Sequence, residues 1–515
     1  MAKFSKQVQT VNRDGFPAYQ MSDKEHLVTA VLTTMFGEPK YYGSTDSNIV
    51  RLATDCAKRD PEFLCNLAVY ARNEFNMRSV SHVLTCVIAR EASEYTRKTV
   101  RNVIVRADDI LEIMACYETM YGKPWPNALK REVAEQLQRF DEYQLAKYNG
   151  GKRSITFKDV LRITHPTPAN KEIEALFGKV LSDTLETPYT WETELSARGN
   201  TAEVWNELIT SGKVGYMALL RNLRNIVKSG ADIEPVLARI ADPEQVAKSR
   251  QLPFRFFSAY RTLENDRLMT PEIHRALDAA LTASVDNMET LAGRTLIAVD
   301  ASGSMGCPVS RNSSVCCRDI AALFGAMASR ICEDATVCFF DCEGGWSQFG
   351  DTGYKIVRFG KYDSVLDATL KSIYDHGGGT QMDLPLTYAL KEDATRDLKP
   401  FDRVIYFSDN VCNSSSYGLK TCQGLIDQYR REYNPDLWVH GVDLQGYGTQ
   451  QFCGKNVNVI AGWSDKVLQF INLAETGVGT LVTTIEAYDA DSVSTARAAK
   501  AADVAAKTAD AAQSA

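Results

Sequence analysis

The spacing of apolar residues changes at Arg294, and this change divides the chain between two kinds of fold. From about Ser22 to Leu291 the apolar residues recur at helical spacing. In one segment they stand at i, i+3, i+4, i+7 and i+8, at Val80, Val83, Leu84, Val87 and Ile88. This spacing places them along one side of an amphipathic helix. Many such segments, separated by short loops, predict stacked helical pairs of the HEAT type.

After Arg294, short apolar segments alternate with helical ones. The first, TLIAVD, precedes the helical segment CRDIAALFGAMASRIC, and ATVCFFD, YKIVRFG, RVIYFSD, LWVHGVD and VNVIAG have the same strand-like character. A continuous apolar run such as TLIAV indicates a strand that is buried on both faces. Strands that alternate with helices predict a doubly wound parallel sheet, in which ligands bind at the carboxyl ends of the strands. The predicted fold class is therefore an α region followed by an α/β domain.

The sequence divides into four predicted parts, because 515 residues exceed what one core can organise. Residues 1–21 form an N-terminal segment, residues 22–291 the helical-repeat domain and residues 292–485 the α/β domain. Residues 486–515 form an Ala-rich tail that has no large apolar residue after Val504. We expect this tail to be a frayed helix or disordered, because it can bury almost nothing.

The cysteines and the apolar runs indicate where the protein resides. The 13 cysteines are an odd number without a C-x-x-C pair, which favours reduced thiols over disulfides or a zinc ribbon. The opening MAKFSKQ has no apolar signal core, and no run approaches the ~18 apolar residues of a membrane span. We therefore expect a cytoplasmic protein without a membrane partner.

A cluster of oxygen-bearing side chains follows the predicted strand TLIAV. The motif D-x-S-x-S supplies a carboxylate and two hydroxyls, at Asp300, Ser302 and Ser304, which converge when the chain turns off the strand. Thr380 follows three glycines and Asp409 follows the strand RVIYFS, so both are expected at the same sheet edge. Such oxygens suit Mg²⁺ or another divalent cation. The alternative is a purely structural turn, because Asp and Ser are common in turns.

Together these five residues resemble the metal-ion-dependent adhesion site of von Willebrand factor A domains. The resemblance implies that Ser302, Ser304 and Thr380 bind the metal directly. It also implies that Asp300 and Asp409 bind the metal mainly through water. With two carboxylates the metal stays electrophilic, and its open position can take an acidic group from a partner.

A second candidate site is basic, although the formal net charge of the chain is −7. The segment LAKYNGGKRSITFKDVLRITH has one acid, Asp159, against five basic residues, which are Lys147, Lys152, Arg153, Lys158 and Arg162. Thr156 and Asp159 form a capping-box pattern that begins a helix, and Pro166 ends it near His165.

Within this predicted helix, Lys158, Arg162 and His165 stand at i, i+4 and i+7 and share one face. Two cations and a histidine can follow phosphates and contact a base. A stripe of charge is more often only a solvated helix face, and the same alternative applies to the second stripe at Arg221, Arg224 and Lys228. Counterion release depends on nearby cations rather than on total charge, so an acidic chain can still bind nucleic acid locally.

The chain as a whole resembles the Ro autoantigen family, whose helical part is the TROVE module shared with telomerase and vault proteins. The similar stretches occur in family order over residues 12–475, and include FGEPKYYG, WPNALKREV, FKDVLRITHPTP, GYMALLRNLRNI, RTLIAVDASGSM, GGGTQMDLPL and RVIYFSDN. The resemblance implies a ring of HEAT-like repeats, joined by the N-terminal segment and closed by the von Willebrand factor A-like domain. The shorter N-terminal and inter-helix segments suggest a bacterial or phage member.

The resemblance also implies a function in RNA quality control or processing. Family members bind small structured Y RNAs on the outer basic face and single-stranded 3′ ends of misfolded RNAs in the central hole. Lys158, Arg162 and His165 then match the Y RNA contact, with Lys130 and Arg131 beside them. Candidates for the hole are Arg221 and Arg224. The implied partners are a small noncoding Y-like RNA, misfolded RNA 3′ ends and an exoribonuclease tethered through the RNA, with the protein itself a monomeric ring.

Two other functions compete with RNA binding. One is a metal-dependent protein-binding scaffold that uses the von Willebrand factor A-like domain. The other is a metal-dependent nuclease, which needs clustered carboxylates. Only Asp300 and Asp409 are expected at the site, and the sequence has neither a P-loop nor a G-x-S-x-G motif. We therefore expect a protein that is not an enzyme.

Overall fold

The computed structural model describes residues 9–12, 17–33, 44–149, 153–286, 288–308, 314–360, 363–374, 377–395, 399–412, 422–461, 466–476 and 480–493. Among the predicted site residues, Lys152 lies outside these ranges, as does the predicted tail from residue 494 onward. The chain forms two compact units, Met1–Gly37 with Glu194–Leu481, and Glu38–Thr193 with Val482–Ala515. We call the first the α/β unit, because it contains the main sheet, and the second the helical unit.

Helices dominate the described chain up to Asp286, which confirms the predicted helical region. Two short strands, β1 (Gln9–Val11) and β2 (Pro17–Gln20), come first. The helices are α1 (Asp23–Thr33), α2 (Ser44–Arg59), α3 (Pro61–Asn73), α4 (Ser79–Glu91), α5 (Thr96–Val103), α6 (Ala107–Tyr121), α7 (Asn127–Leu137), α8 (Glu142–Asn149), α9 (Phe157–Thr164), α10 (Lys171–Ser182), α11 (Trp191–Arg198), α12 (Ala202–Thr210), α13 (Tyr216–Ser229), α14 (Glu234–Ala241), α15 (Pro243–Ser249), α16 (Pro253–Asn265) and α17 (Pro271–Asp286).

The helices of the helical unit pack in two layers. In one layer α3, α5, α7 and α9 are successive neighbours, and in the other α4, α6 and α8 are. Each helix buries its apolar side between the layers, as Val100 and Val103 of α5 do. Helices α3 and α4 are buried on almost all sides, whereas α5, α7 and α9 each keep exposed residues on the side away from their buried apolar residues. Among the described residues, no helix is both long enough and apolar enough to cross a membrane.

A buried carboxylate holds α3, α4 and α6 together. Asp109, at the start of α6, accepts hydrogen bonds from Arg72 Nη2 at 3.0 Å and from Arg78 Nε at 2.6 Å. His82 Nε2 lies 3.1 Å from the same carboxyl group. Burial acts to raise the pKa of Asp109, but His82 and the two guanidinium groups lower it well below its usual range. This network joins α3 and α4, the helices against which α5 packs, to α6.

The remaining elements form the von Willebrand factor A-like fold. They are β3 (Leu291–Asp300), α18 (Cys317–Ile331), β4 (Cys332–Phe340), β5 (Tyr354–Val357), α19 (Val365–Lys371), α20 (Leu384–Thr395), β6 (Arg403–Ser408), α21 (Cys422–Glu432), β7 (Trp438–Asp443), β8 (Thr449–Gln450), β9 (Val457–Ala461) and α22 (Lys466–Glu475). The last helix, α23 (Leu481–Glu486), belongs to the helical unit from Val482 onward. The main sheet has the order β5-β4-β3-β6-β7-β9. Leu296, Ala298 and Tyr406 on one face pack into a core with residues of α20 and α21.

The sheet is mixed rather than wholly parallel. The prediction is correct for β4, β3, β6, β7 and β9, whereas β5 pairs antiparallel with β4. A parallel connection needs a crossover, usually a helix. The chain between Phe340 and Tyr354 contains only one short 3₁₀ turn, so it returns beside β4 as an antiparallel edge strand. A second sheet, β1-β2-β8, joins the N-terminal segment to the α/β unit through the pair Tyr19 and Gln450.

Candidate metal site and basic helical surface

The D-x-S-x-S motif stands at the carboxyl end of β3, in the middle of the sheet. Asp300 is the last residue of β3, and Asp409 directly follows the neighbouring strand β6. Asp300, Ser302, Thr380 and Asp409 are all buried. The Oγ atoms of Ser302 and Ser304 lie 3.2 Å apart.

Hydrogen bonds shape the turn that carries these ligand candidates. Asp300 accepts from the backbone N of Ser302 at 2.9 Å and from Ser408 Oγ at 2.6 Å. The backbone N of Gly303 donates to Gly378 O at 3.1 Å, which places the loop carrying Thr380 against the turn. A Cβ atom at Gly377 would lie 2.1 Å from Ala301 O, so only glycine allows this approach. The structure thus brings the segments bearing all five predicted residues to one edge of the sheet.

The electrostatics of this edge favour a bound cation. Burial raises the pKa of Asp300 to about 7, and the nearby carboxylate of Asp409 raises it as well, against hydrogen bonds from Ser302 and Ser408. Two buried carboxylates that repel each other are stabilised by a positive charge between them. Every donor is a hard oxygen, the type that Mg²⁺ prefers. The residues therefore fit a divalent cation.

A further buried carboxylate, which the sequence analysis did not single out, lies at the end of the strand next to β6 and acts on Asp409 electrostatically. Asp443 ends β7 and pairs in register with Ser408. It is fully buried and accepts from the backbone N atoms of Gln445 and Gly446, each at 2.8 Å. Burial raises the pKa of Asp443 to about 6, and Asp409 contributes to the rise. Among the described residues, no three His, Cys, Asp or Glu side chains form a group that could hold a metal ion, so Asp443 does not join the predicted ligand set.

Mg²⁺ binding should weaken as the pH falls through neutrality. Because Mg²⁺ binds the carboxylate form, a proton with a pKa of about 7 on Asp300 competes with it. For one such proton, the apparent affinity at pH 6 should be about tenfold lower than at pH 8. Titration calorimetry in buffers with different ionisation enthalpies should show proton release on binding near pH 7. Equal affinity at both values without proton release would contradict this assignment.

The basic candidates occupy a layer of three neighbouring helices. Arg97 Nε on α5 lies 3.6 Å from Glu132 Oε2 on α7, and the backbone N of Ala169, after α9, donates to Gln138 Oε1, after α7, at 2.8 Å. These contacts show that α5, α7 and α9 lie side by side, with α7 between the other two. The three helices carry seven basic and three acidic residues in a chain of net charge −7. We call their solvent side the α5–α7–α9 surface.

Helix α9 confirms the predicted boundaries. Thr156 Oγ1 caps the backbone N of Asp159, and Asp159 accepts in return from Thr156 N. The helix ends at Thr164, and His165 follows in the left-handed conformation with φ 47°. Arg162 and His165 are exposed, whereas Lys158 Nζ lies 2.6 Å from Asp183 Oδ2. Arg162 and His165 are therefore more available to a ligand than Lys158.

The other basic candidates separate into two groups. Lys130 and Arg131 lie on α7, where Arg131 is exposed, and so belong to the α5–α7–α9 surface. Lys147 lies on α8, which packs on α6. Arg153 Nη1 contacts Glu112 Oε1 of α6 at 2.9 Å. Neighbours in the sequence thus lie on different layers of the unit.

Three arginines on the same surface were missed. Arg97 and Arg101 stand four residues apart on the solvent side of α5, and Arg139 follows α7. Desolvation by adjacent atoms and the positive charge of Arg101 lower the pKa of Arg139, which indicates that the two guanidinium groups lie close together. Among the described residues, neither Arg101 nor Arg139 forms an ion pair. The helical spacing of Arg97 and Arg101 in TRKTVRNV could have indicated this pair from the sequence.

Arg221 and Arg224 lie on α13, in the α/β unit, and both are exposed. Lys228 shares their side of the helix, as the spacing predicts. Asp266 partly neutralises this stripe, with Oδ2 lying 2.6 Å from Lys228 Nζ and 3.9 Å from Arg224 Nε. These residues therefore belong to a different unit from α9.

Two family models match the chain. The TROVE domain matches residues 21–187 and 178–277, and the Ro60 vWA domain matches residues 294–472. The first match covers the helical region, and the second covers the domain that carries Asp300 and Asp409.

Two curated relatives have the same name. Telomerase protein component 1 of Rattus norvegicus is 26% identical to this chain, over 43% of the chain and 12% of the relative. Telomerase protein component 1 of Mus musculus is 23% identical, over 85% of this chain and 22% of the relative. The chain thus matches less than a quarter of the length of each.

A solved structure has the same fold. The crystal structure of Deinococcus radiodurans RO (RSR) protein is similar to this chain, with a TM-score of 0.60 and 18% identity, over 88% of this chain and 100% of that chain. At this identity the likeness concerns the fold, a helical region followed by a von Willebrand factor A-like domain.

Proposed function

Because this chain belongs to the Ro family of TROVE-domain proteins, we propose that it binds RNA as a component of a ribonucleoprotein. The observation that carries the proposal is the α5–α7–α9 surface. There Arg101, Arg131, Arg139 and Arg162 lie on or beside three neighbouring helices, without ion pairs among the described residues. Packed helices are about 8–10 Å apart, so their cations can meet different phosphates of one folded RNA.

The finer proposal concerns which RNAs bind. A small structured RNA, similar to Y RNA, would lie on the α5–α7–α9 surface, with arginines on phosphates and exposed His165 against a base. Single-stranded 3′ ends of misfolded RNAs would contact Arg221 and Arg224. The protein would act in RNA quality control or processing without catalysing a reaction itself, and an exoribonuclease could be tethered through the RNA.

A second proposed function belongs to the α/β unit. Ser302, Ser304 and Thr380 would hold Mg²⁺, while Asp300 and Asp409 would balance its charge. The buried oxygens and the raised pKa of Asp300 support this proposal. When bound, the cation would supply an electrophilic position for an acidic group of a partner. This would make the unit a metal-dependent protein-binding module.

Recovery of bound RNA tests the first proposal. The native protein should copurify with a discrete small RNA, visible as excess absorbance at 260 nm that ribonuclease removes and identifiable by sequencing. The same preparation of a variant that lacks the α5–α7–α9 arginines serves as the control and should lose this RNA. Native protein whose absorbance and mass are unchanged by ribonuclease would contradict RNA binding in the cell.

A further inference from the structure

An exposed tryptophan stands next to the candidate metal site. Trp346 has 88% of its surface exposed, the largest fraction of any large apolar side chain among the described residues. Exposing so much apolar area to water is unfavourable, at about 25 cal/mol per Å². Tryptophan is also among the residues that contribute most to binding energy in protein interfaces.

The loop that carries Trp346 is held closed by its own hydrogen bonds. Asp341, fully buried at the end of β4, accepts from Ser347 Oγ at 2.6 Å and from the backbone N of Gln348 at 2.9 Å. The backbone N of Ser347 donates to Gly344 O at 2.9 Å and closes the turn around Trp346. The exposed side chain is therefore presented by a fixed turn.

The same loop contacts two segments of the candidate metal site, the turn after β3 and the glycine loop before Thr380. Gln348 Nε2 donates to Ala301 O at 3.0 Å, between Asp300 and Ser302. A Cβ atom at Gly378 would lie 2.7 Å from Trp346 O, so the backbone of Trp346 touches the glycine loop that leads to Thr380. Trp346 and the candidate metal ligands thus lie at the same edge of the sheet, joined by direct contacts.

The charge of the loop indicates the kind of partner that fits. Residues 341–353 include Asp341, Glu343 and Asp351 and contain neither Lys nor Arg. Glu343 and Asp351 are exposed, and Glu343 lies three residues before Trp346. Such a loop repels phosphates but attracts a basic side chain. The face of an indole ring also binds a guanidinium or ammonium group.

We propose that this edge is a two-point docking site for a protein partner. A carboxylate of the partner would occupy the open position of the cation, because a hard cation with neutral hydroxyl ligands favours an anionic oxygen. A neighbouring Arg or Lys of the partner would lie on Trp346, beside Glu343. The inference rests on the proposed metal site, and it adds Trp346 and Glu343 as the residues that select the partner.

Selection of peptides tests the proposal without a known partner. Random peptides displayed on phage would be selected on the immobilised full-length protein in Mg²⁺ and eluted with chelator. The recovered peptides should combine an acidic residue with a nearby Arg or Lys. Trp346→Ala should weaken their binding about tenfold or more, as expected for an interface tryptophan. Tyr143→Ala, which removes a 51% exposed aromatic side chain from the helical unit, is the matched control and should bind them normally.

Three outcomes would overturn the proposal. They are recovery of no chelator-eluted peptide, recovery of peptides that bind Trp346→Ala as well as the native chain, and displacement of the peptides by single-stranded RNA. Melting of Trp346→Ala with and without Mg²⁺ separates a failure of the docking proposal from a failure of the metal site. An unchanged Mg²⁺ effect with lost peptide binding supports the role of Trp346, whereas no Mg²⁺ effect in the native chain would remove the metal site and the docking site together.

Discussion

Replacing Arg101, Arg131 and Arg162 together by glutamine should weaken binding of a small structured RNA about a hundred- to a thousandfold at about 0.1 M salt. The three guanidinium groups lie on α5, α7 and α9, one on each helix. Each phosphate contact contributes about 0.7–0.9 to the slope of log affinity against log salt, which corresponds to roughly tenfold in affinity at this salt concentration. The slope itself should therefore fall by about 2 to 3.

A matched control carries the same change of charge elsewhere. Lys248, Arg275 and Lys455 have side chains that are 74%, 70% and 69% exposed, each beside one acidic residue, in the α/β unit. Their joint replacement by glutamine should leave affinity within about threefold, because it alters only the long-range field. Equal losses in the two triple variants would mean that net charge, rather than the α5–α7–α9 surface, determines binding.

His165→Ala should lower affinity without changing the salt slope if the imidazole contacts a base.

Asp300→Asn should abolish the effect of Mg²⁺ on stability. In the native chain, a ligand that binds only the folded state at a hundredfold excess over Kd stabilises it by about 2.7 kcal/mol. Asparagine is preferred to alanine here, because alanine would remove the acceptor for Ser302 N and Ser408 Oγ in a buried position. Asp436→Asn, at an exposed carboxylate, is the control and should keep the Mg²⁺ effect.

The sign of the metal-free stability gives an independent check. Because burial and Asp409 raise the pKa of Asp300 to about 7, the folded protein holds a proton that the unfolded chain releases near pH 4. Stability without metal should therefore fall as the pH rises from about 4 to above 7. Asp300→Asn should be more stable than the native chain at pH 8 in chelator and less dependent on pH. A native chain that melts equally with and without Mg²⁺ would contradict a functional metal site.

Asp300→Asn should also leave RNA affinity unchanged. The α5–α7–α9 surface belongs to the helical unit, whereas Asp300 belongs to the α/β unit. RNA affinity measured with and without Mg²⁺, in the native chain and in the variant, checks this. Loss of RNA binding in a folded Asp300→Asn protein would mean that the two sites are coupled.

The sequence was most informative where the ligand candidates and the fold are defined locally. Asp300, Ser302 and Ser304 stand within five residues after a recognisable buried strand, and the alternation of strands and helices places Asp409 on a neighbouring strand. The capping box at Thr156 and Asp159 likewise determines where α9 begins. In these cases the decisive contacts involve residues that are adjacent in the chain or at the ends of adjacent parallel strands.

The sequence was less informative where packing between distant segments decides. Lys147 and Arg153 belong to the basic segment but lie on or against the α6 layer, because the chain crosses between layers before α9. Arg101 and Arg139 come together only because α5 packs on α7. Asp443 belongs to no local motif, and its position near Asp409 follows from the pairing of β7 with β6. The exposure of Trp346 follows from the burial of Asp341, which no spacing indicates.

Crosslinking of bound RNA tests the central claim most directly. The native protein would be irradiated with its copurified RNA, and the crosslinked peptides would be identified by mass spectrometry. RNA binding on the α5–α7–α9 surface predicts crosslinks within Thr96–Val103, Asn127–Leu137 and Phe157–Thr164, extending to His165. Single-stranded 3′ tails should add crosslinks near Arg221 and Arg224. Crosslinks confined to the von Willebrand factor A-like domain, with none in α5, α7 or α9, would contradict the account.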